Sequence, residues 1–296
     1  MLNFTNGIVL LLSVVKHQSE FDTKVKFPEL TDAIGQIKTA MGDYYGNAKH
    51  NVDTAMRINE NARSIYQQSV APVFDWCGEA IEKFNTIQPH IRENLSKKDK
   101  DLIWQVTVTT VHDGLERTSH SLELLNDVQS KSSKVMNLLS TILHDTYDDF
   151  GPSGYYGKMK NDAQNKINDL EHSLHVHDVL SFVPFANIVS GIIAMTQKYG
   201  EQINELRNQK FDIESKLDRI IPKIQHASQV AKMCVNPYLE EDKTNLVTLR
   251  GKAGAVDNNN PLLTLDSPTI RAMFMPVLQE LITQCHKYTI WHGLQH

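Results

Sequence analysis

Nineteen consecutive residues, Val179 to Gln197 (VLSFVPFANIVSGIIAMTQ), carry no charge, although the stretches on either side are long and strongly polar. An apolar run of about 17 to 25 residues is long enough to cross a bilayer core. The chain around it has the composition of a soluble protein, with a mean hydropathy of −0.36. The combination implies a water-soluble protein that holds one membrane-competent segment. Val179 to Met195 would make about 26 Å of helix, just short of a hydrocarbon core of about 30 Å, or two shorter arms if Pro184 and Gly191 bend it. A permanent span is expected to have basic flanks and aromatic belts. Here the flanks are Asp178 and Lys198, with aromatics at Phe182, Phe185 and Tyr199, so conditional insertion fits better than a constitutive span. The competing reading is a core helix that a large bundle buries.

The flanking stretches have helical periodicity. From Leu30 apolar residues recur at steps of four and three through Ile34, Ile37, Met41, Tyr44 and Ala48, then Ala55, Ile58, Ala62 and Ile65. This is a sustained coiled-coil seam, and it predicts one helix of roughly 40 residues, about 60 Å long, ended or broken at Pro72. A second amphipathic stretch carries Val73, Trp76, Ala80, Phe84 and Ile87, and a third runs from the polar Ser96–Asp101 segment to Leu143. Gly151, Pro152, Gly154 and Gly157, with Tyr155 and Tyr156, mark a loop. Helical spacing then leads from Lys158 into the uncharged run and leaves it through Ile203, Leu206, Ile213, Leu217, Ile220 and Ile224, with Pro222 as an expected kink. The apolar run therefore sits at the tip of a helical hairpin. Residues 236–267 are rich in turn formers and read as an insertion, a loop or a small β-hairpin. Ser267-Pro268 has the order of an N-cap followed by proline at the first helical position.

Composition excludes several function classes. The formal net charge of −5 over 296 residues offers no basic face for nucleic acid. Cys77, Cys234 and Cys285 are odd in number and widely spaced, which supports neither a disulfide framework nor a zinc site. Ile8 to Val15 is short for a span and lacks the basic start and small-residue cleavage pattern of a secretory signal. It reads as a buried helix or as a second membrane-seeking element. Phosphate loops, dinucleotide fingerprints, zinc-protease pairs and nucleophile elbows are absent, so no catalytic residue, cofactor or metal is expected. His-Asp dipeptides at His112, His144 and His177 are weak evidence for a metal phosphohydrolase in a chain with 13 histidines. His172, His175 and His177 crowd the entrance to the apolar run, where protonation near pH 6 would add positive charge. They are pH-switch candidates, set against the plainer reading of a solvated helix face. His172 and His175 share that face while His177 points elsewhere, which disfavours zinc.

Long heptad helices, a central uncharged hairpin tip and the resumed heptads of HDVLSFVPFANIVSGIIAMTQKYGEQINELRNQKFDIESKLDRI together resemble the α-helical pore-forming toxins of the cytolysin A superfamily, which includes haemolysin BL, Nhe and the XaxAB/YaxAB toxins. The resemblance spans roughly Leu30 to Val235. It implies an all-α protein: an elongated bundle of long antiparallel helices, one domain over 1–296, with a hydrophobic head at 178–198 and the turn-rich insertion at 236–267. It also implies a secreted, soluble toxin component that oligomerises, with its own copies or a second component, and inserts into target-cell membrane lipid. The insertion candidates are Val179, Leu180, Phe182, Val183, Pro184, Phe185, Ile188, Val189, Gly191, Ile192, Ile193 and Met195. The alternative is a non-enzymatic coiled-coil scaffold or adaptor with the same run in its core.

Overall fold

The computed structural model describes residues 21, 24–91, 95–180, 186–257 and 265–293, and of 176–180 and 186–195 the backbone alone. The fold class is all-α, as expected, and every regular element among the described residues is helical. The main helices are α1 (Phe27–Ala40), α2 (Asn47–Ile87), α3 (Lys97–Phe150), α4 (Tyr155–Leu180), α5 (Ala186–Val230), α6 (Asn236–Asp257) and α7 (Pro268–Trp291). The chain expected to be one domain divides into two compact units, Met1–Thr31, Arg57–Met136 and Gln229–His296 in the first, Asp32–Met56 and Asn137–Ser228 in the second.

In the first unit the core is built around Trp76 of α2. Its ring is fully buried, and its indole N–H donates to the Thr110 carbonyl of α3 at 2.8 Å. Gly114, one turn further on, is what lets the two helices approach, because a Cβ there would overlap the indole ring. Overpacking a tight core costs about 1–3 kcal/mol. Gly114→Ala is therefore expected to lower the unfolding free energy by that amount, seen as a lower urea midpoint followed by circular dichroism, without changing helix content.

Pro72 does not end a helix. It lies inside α2, although proline removes one backbone donor and its ring pushes on the preceding turn. Side chains of α3 bond to the backbone around it: Ser121 donates to the Ser69 carbonyl at 2.6 Å and Arg117 to the Pro72 carbonyl at 3.2 Å. The break falls instead at 41–46, between α1 and α2. Helix α3 starts inside the polar Ser96–Asp101 segment, capped by Ser96, whose hydroxyl oxygen accepts from the Asp99 amide at 3.2 Å.

The expected turn-rich insertion at 236–267 is corrected by α6, which is helical over Asn236–Asp257; residues 258–264 lie outside the described residues. Its buried positions Leu239, Asp242, Leu246, Leu249, Ala253 and Val256 step by three and four, so it carries a heptad seam like its neighbours. Pro237, which lacks a backbone donor, stands just after a π-helical turn. A π-helical turn, Ala231–Val235, joins α5 to α6 without a break. At that turn the Cys234 carbonyl accepts instead from the Lys26 amide at 3.1 Å.

Helix α7 begins as read from the sequence, with the Ser267 side chain accepting from the Ile270 amide and proline next. It runs antiparallel to α6, as the pairs Trp291 with Glu241, His292 with Asp242 and Lys252 with Glu280 show. The His292–Asp242 pair is fully buried at 3.1 Å, and the His292 ring sits among Phe21, Tyr66, Tyr288 and Trp291. All three cysteines are free thiols. Burial, together with a hydrogen bond to the Cys285 thiol, pushes Cys77 well above the ordinary thiol range.

Candidate functional site: the helical hairpin and its root

In the second unit α4 and α5 form an antiparallel hairpin. Lys160 pairs with Glu214, Gln164 with Lys210 and Glu171 with Arg207, so numbers rise along one helix as they fall along the other. Helix α4 is 26 residues long, about 39 Å at 1.5 Å per residue. The two helices share a narrow apolar seam. Ala163, Ile167, Ile203 and Ile213 are buried, whereas Leu170, Leu174 and Leu206 are half-buried and Phe211 is 73% exposed. Two helices alone cover only one side of such a seam, which leaves the arm held largely by exposed ion pairs, each worth little.

The backbone carries the sequence candidates at the far end of this arm. Val179 and Leu180 are the last residues of α4, and Ile188, Val189, Gly191, Ile192, Ile193 and Met195 lie on α5, their side chains outside the described residues. Phe182, Val183, Pro184 and Phe185 lie outside the described residues altogether. Among the described residues no helix is long and apolar enough to cross a membrane. His172 and His175 are exposed on α4, while the side chain of His177 is outside the described residues. Among the described residues no group of three or more His, Cys, Asp or Glu side chains is placed to hold a metal ion.

The near end of the arm holds a cluster that sequence reasoning missed. Two similar tetrapeptides meet there: Asp43-Tyr44-Tyr45-Gly46 in the turn between α1 and α2, and Gly154-Tyr155-Tyr156-Gly157 at the start of α4. In each, one tyrosine is buried, Tyr44 or Tyr156, and the other is exposed, Tyr45 or Tyr155. Tyr44 and Tyr156 stack at 5.6 Å, and Phe150 stacks on Tyr156 at 4.4 Å. Two glycines leave needed space: a Cβ at Gly46 would overlap the Tyr44 and Asp149 side chains, and one at Gly157 would overlap the Gly151 carbonyl in the turn that starts α4. The repeated Tyr-Tyr-Gly motif was the available signal.

Polar contacts complete the cluster. The Tyr44 hydroxyl donates to the Asp149 carboxylate, and the Tyr45 amide donates to the Tyr156 hydroxyl at 2.8 Å. Burial, then the Asp149 hydrogen bond and charge, push the Tyr44 phenol far above its ordinary value, so it remains a donor. From α5, the Lys216 ammonium reaches Asp212 at 2.8 Å and Asp43 at 3.2 Å. Burial pushes the Asp43 carboxyl up, but the hydrogen bond and charge of Lys216, with help from Arg219, outweigh it and hold Asp43 below its usual 3.8. A group whose folded pKa is depressed contributes stability above its unfolded pKa and loses it as pH falls through the folded value. The contact between Asp43 and Lys216 is therefore expected to be intact at about pH 5–6, where histidines titrate, and to weaken only below the usual carboxylate range. Following the Asp43 carboxyl by NMR against pH checks this.

The chain was compared with known proteins. The family model described as Haemolysin E (HlyE) matches residues 9–293. No sequence among the curated proteins matches. Among solved structures, the chain is similar to soluble AhlC of the tripartite α-pore forming toxin AHL from Aeromonas hydrophila. The identity is 11%, covering 90% of this chain and 98% of that one, with a TM-score of 0.50. The AhlB pore of the same toxin (10% identity, 91% and 99% coverage, TM-score 0.48) and the SmhB pore of the tripartite toxin Smh from Serratia marcescens (9%, 92% and 100%, 0.43) are more distant in shape. At such identities the AhlC likeness bears on the fold alone, whereas the family match takes in both units and the whole α4–α5 hairpin: the chain belongs to the haemolysin E family of α-helical pore-forming toxins.

Proposed function

We propose that this protein is a cytolysin component that is secreted in soluble form, oligomerises, and inserts the apolar end of its α4–α5 hairpin into the lipid of a target-cell membrane. The reading is supported by an antiparallel two-helix arm whose helices end, at Leu180, and begin, at Ala186, within the uncharged sequence 179–197, in a chain of the haemolysin E family. The family is non-enzymatic, so the work is done by transfer of surface from water to lipid and not by a reaction. Transfer of apolar area is worth about 25 cal/mol per Å², and a bilayer provides a second apolar environment for the run. Insertion is then a population shift between a form that keeps the run with protein and one that gives it to lipid. The insertion residues are Val179 to Met195. His172, His175 and His177, next to the run, are the candidates for an acid response, because protonation near pH 6 changes the charge beside it.

The partners that fit are membrane lipid together with further copies of this chain or a second toxin component. Purified protein added to dye-loaded vesicles, alone and with candidate second components, at neutral and acidic pH, tests the function. Release accompanied by a detergent-stable oligomer is expected, and intact vesicles in every combination would overturn it.

A further inference from the structure

We propose that the paired Tyr-Tyr-Gly cluster is a clamp on the root of the α4–α5 arm, and that its opening controls how readily the arm leaves its soluble position. The gating part of this proposal rests on the pore-forming reading above; the mechanical part does not.

The arm is unevenly packed along its length. Between its root and its apolar end the described arm buries few side chains, and its cross-links are two exposed ion pairs and the part-buried hydrogen bond of Lys210 to Gln164. Segments with little buried apolar surface open at low free energy as a unit. The root is built differently. Tyr44 and Tyr156 are 1% and 2% exposed and stacked on each other, and Gly46 leaves the space that the Tyr44 and Asp149 side chains fill. Each helix of the arm has its own tie to the 41–46 turn. For α4 the tie is the Tyr156 hydroxyl, which accepts from the Tyr45 amide; for α5 it is Lys216, which reaches Asp43. The turn is in turn held to the end of α3 by Tyr44 and Asp149. A loosely packed arm with a tightly packed root moves as far as the root permits. Against burial, Lys216 holds Asp43 below its ordinary value, and hydrogen bonds to Asp212 and Asp43 hold Lys216 above its own, so this tie stays charged at physiological pH.

The test uses the full chain and two conservative changes. Tyr156→Phe keeps the stacked ring and removes the acceptor, and Lys216→Met keeps the stem and removes the charge. Hydrogen exchange is measured first without lipid. The double variant is expected to exchange about tenfold faster over 155–180 and 196–216, with 236–291 unchanged. Unchanged exchange in the arm, or an equal rise over 236–291, would overturn the clamp. Leakage of vesicles of a single neutral lipid, phosphatidylcholine, is then followed in time. A shortened lag supports gating, and a wild-type lag in a variant with a loosened arm overturns it. Tyr156→Phe alone supplies the same comparison in a milder form if the double variant unfolds. Vesicles left intact by the wild type, alone and with each candidate second component, would sink the pore reading, while the exchange comparison judges the clamp by itself.

Discussion

Ile192→Asp is expected to abolish vesicle permeabilisation while leaving the soluble protein helical and cooperative in unfolding. Ile192 lies on the α5 backbone in the middle of the uncharged run. A carboxylate at the centre of a membrane-inserted segment costs about 2.5–3.5 kcal/mol on insertion scales, and in an oligomer that cost recurs in every subunit. Even the single-subunit figure corresponds to roughly a hundredfold loss in an insertion equilibrium. Val183→Asp is expected to behave in the same way. The scaffold reading predicts the opposite pattern: a charge forced into a core unfolds the protein, and lipid has no effect on either form. Thermal unfolding and dye release measured on the same preparations separate the two.

The second large effect concerns stability in the first unit. His292→Ala is expected to destabilise the protein by about 3–5 kcal/mol, the cost of leaving one member of a buried pair behind. Asp242 is 1% exposed on α6, and His292 is the hydrogen-bonding partner that lies with it in the interior. The ring also packs against Tyr288 at 4.5 Å and Trp291 at 4.6 Å, so truncation removes apolar contact as well as the polar partner. Replacing both residues together, Asp242→Leu with His292→Leu, is expected to recover most of the loss, because no charge is then left unpaired. Denaturant midpoints of the three variants check the ordering. A single variant as stable as the wild type would show that the pair contributes nothing net.

These buried contacts also explain where the sequence was legible. The all-α class and the hairpin could be read because Ala163, Ile167, Ile203 and Ile213 keep helical spacing on both sides of the uncharged run. Ser267-Pro268 announced α7 because a cap is a local device and needs no partner from elsewhere in the chain. Helix α6 was hidden because one of its seam positions is Asp242, and the residue that makes a buried carboxylate acceptable stands fifty positions away. Pro72 reads as a stop because the α3 side chains that bond to the backbone around it, Ser121 to Ser69 and Arg117 to Pro72, belong to another helix. The break at 41–46 was masked by its own burial. Met41, Tyr44 and Ala48 keep three- and four-residue steps across a turn that is not helical, so the apolar periodicity runs unbroken through it.

The central claim is that the uncharged run exchanges a protein environment for a lipid one. A cysteine placed at Ile188, with the three native cysteines replaced, and labelled with an environment-sensitive dye reports this directly. On adding vesicles that carry quenchers at known depths, the dye is expected to shift to the blue and to be quenched from within the acyl layer, in step with leakage. Leakage that proceeds while the dye at position 188 stays in water would contradict the account.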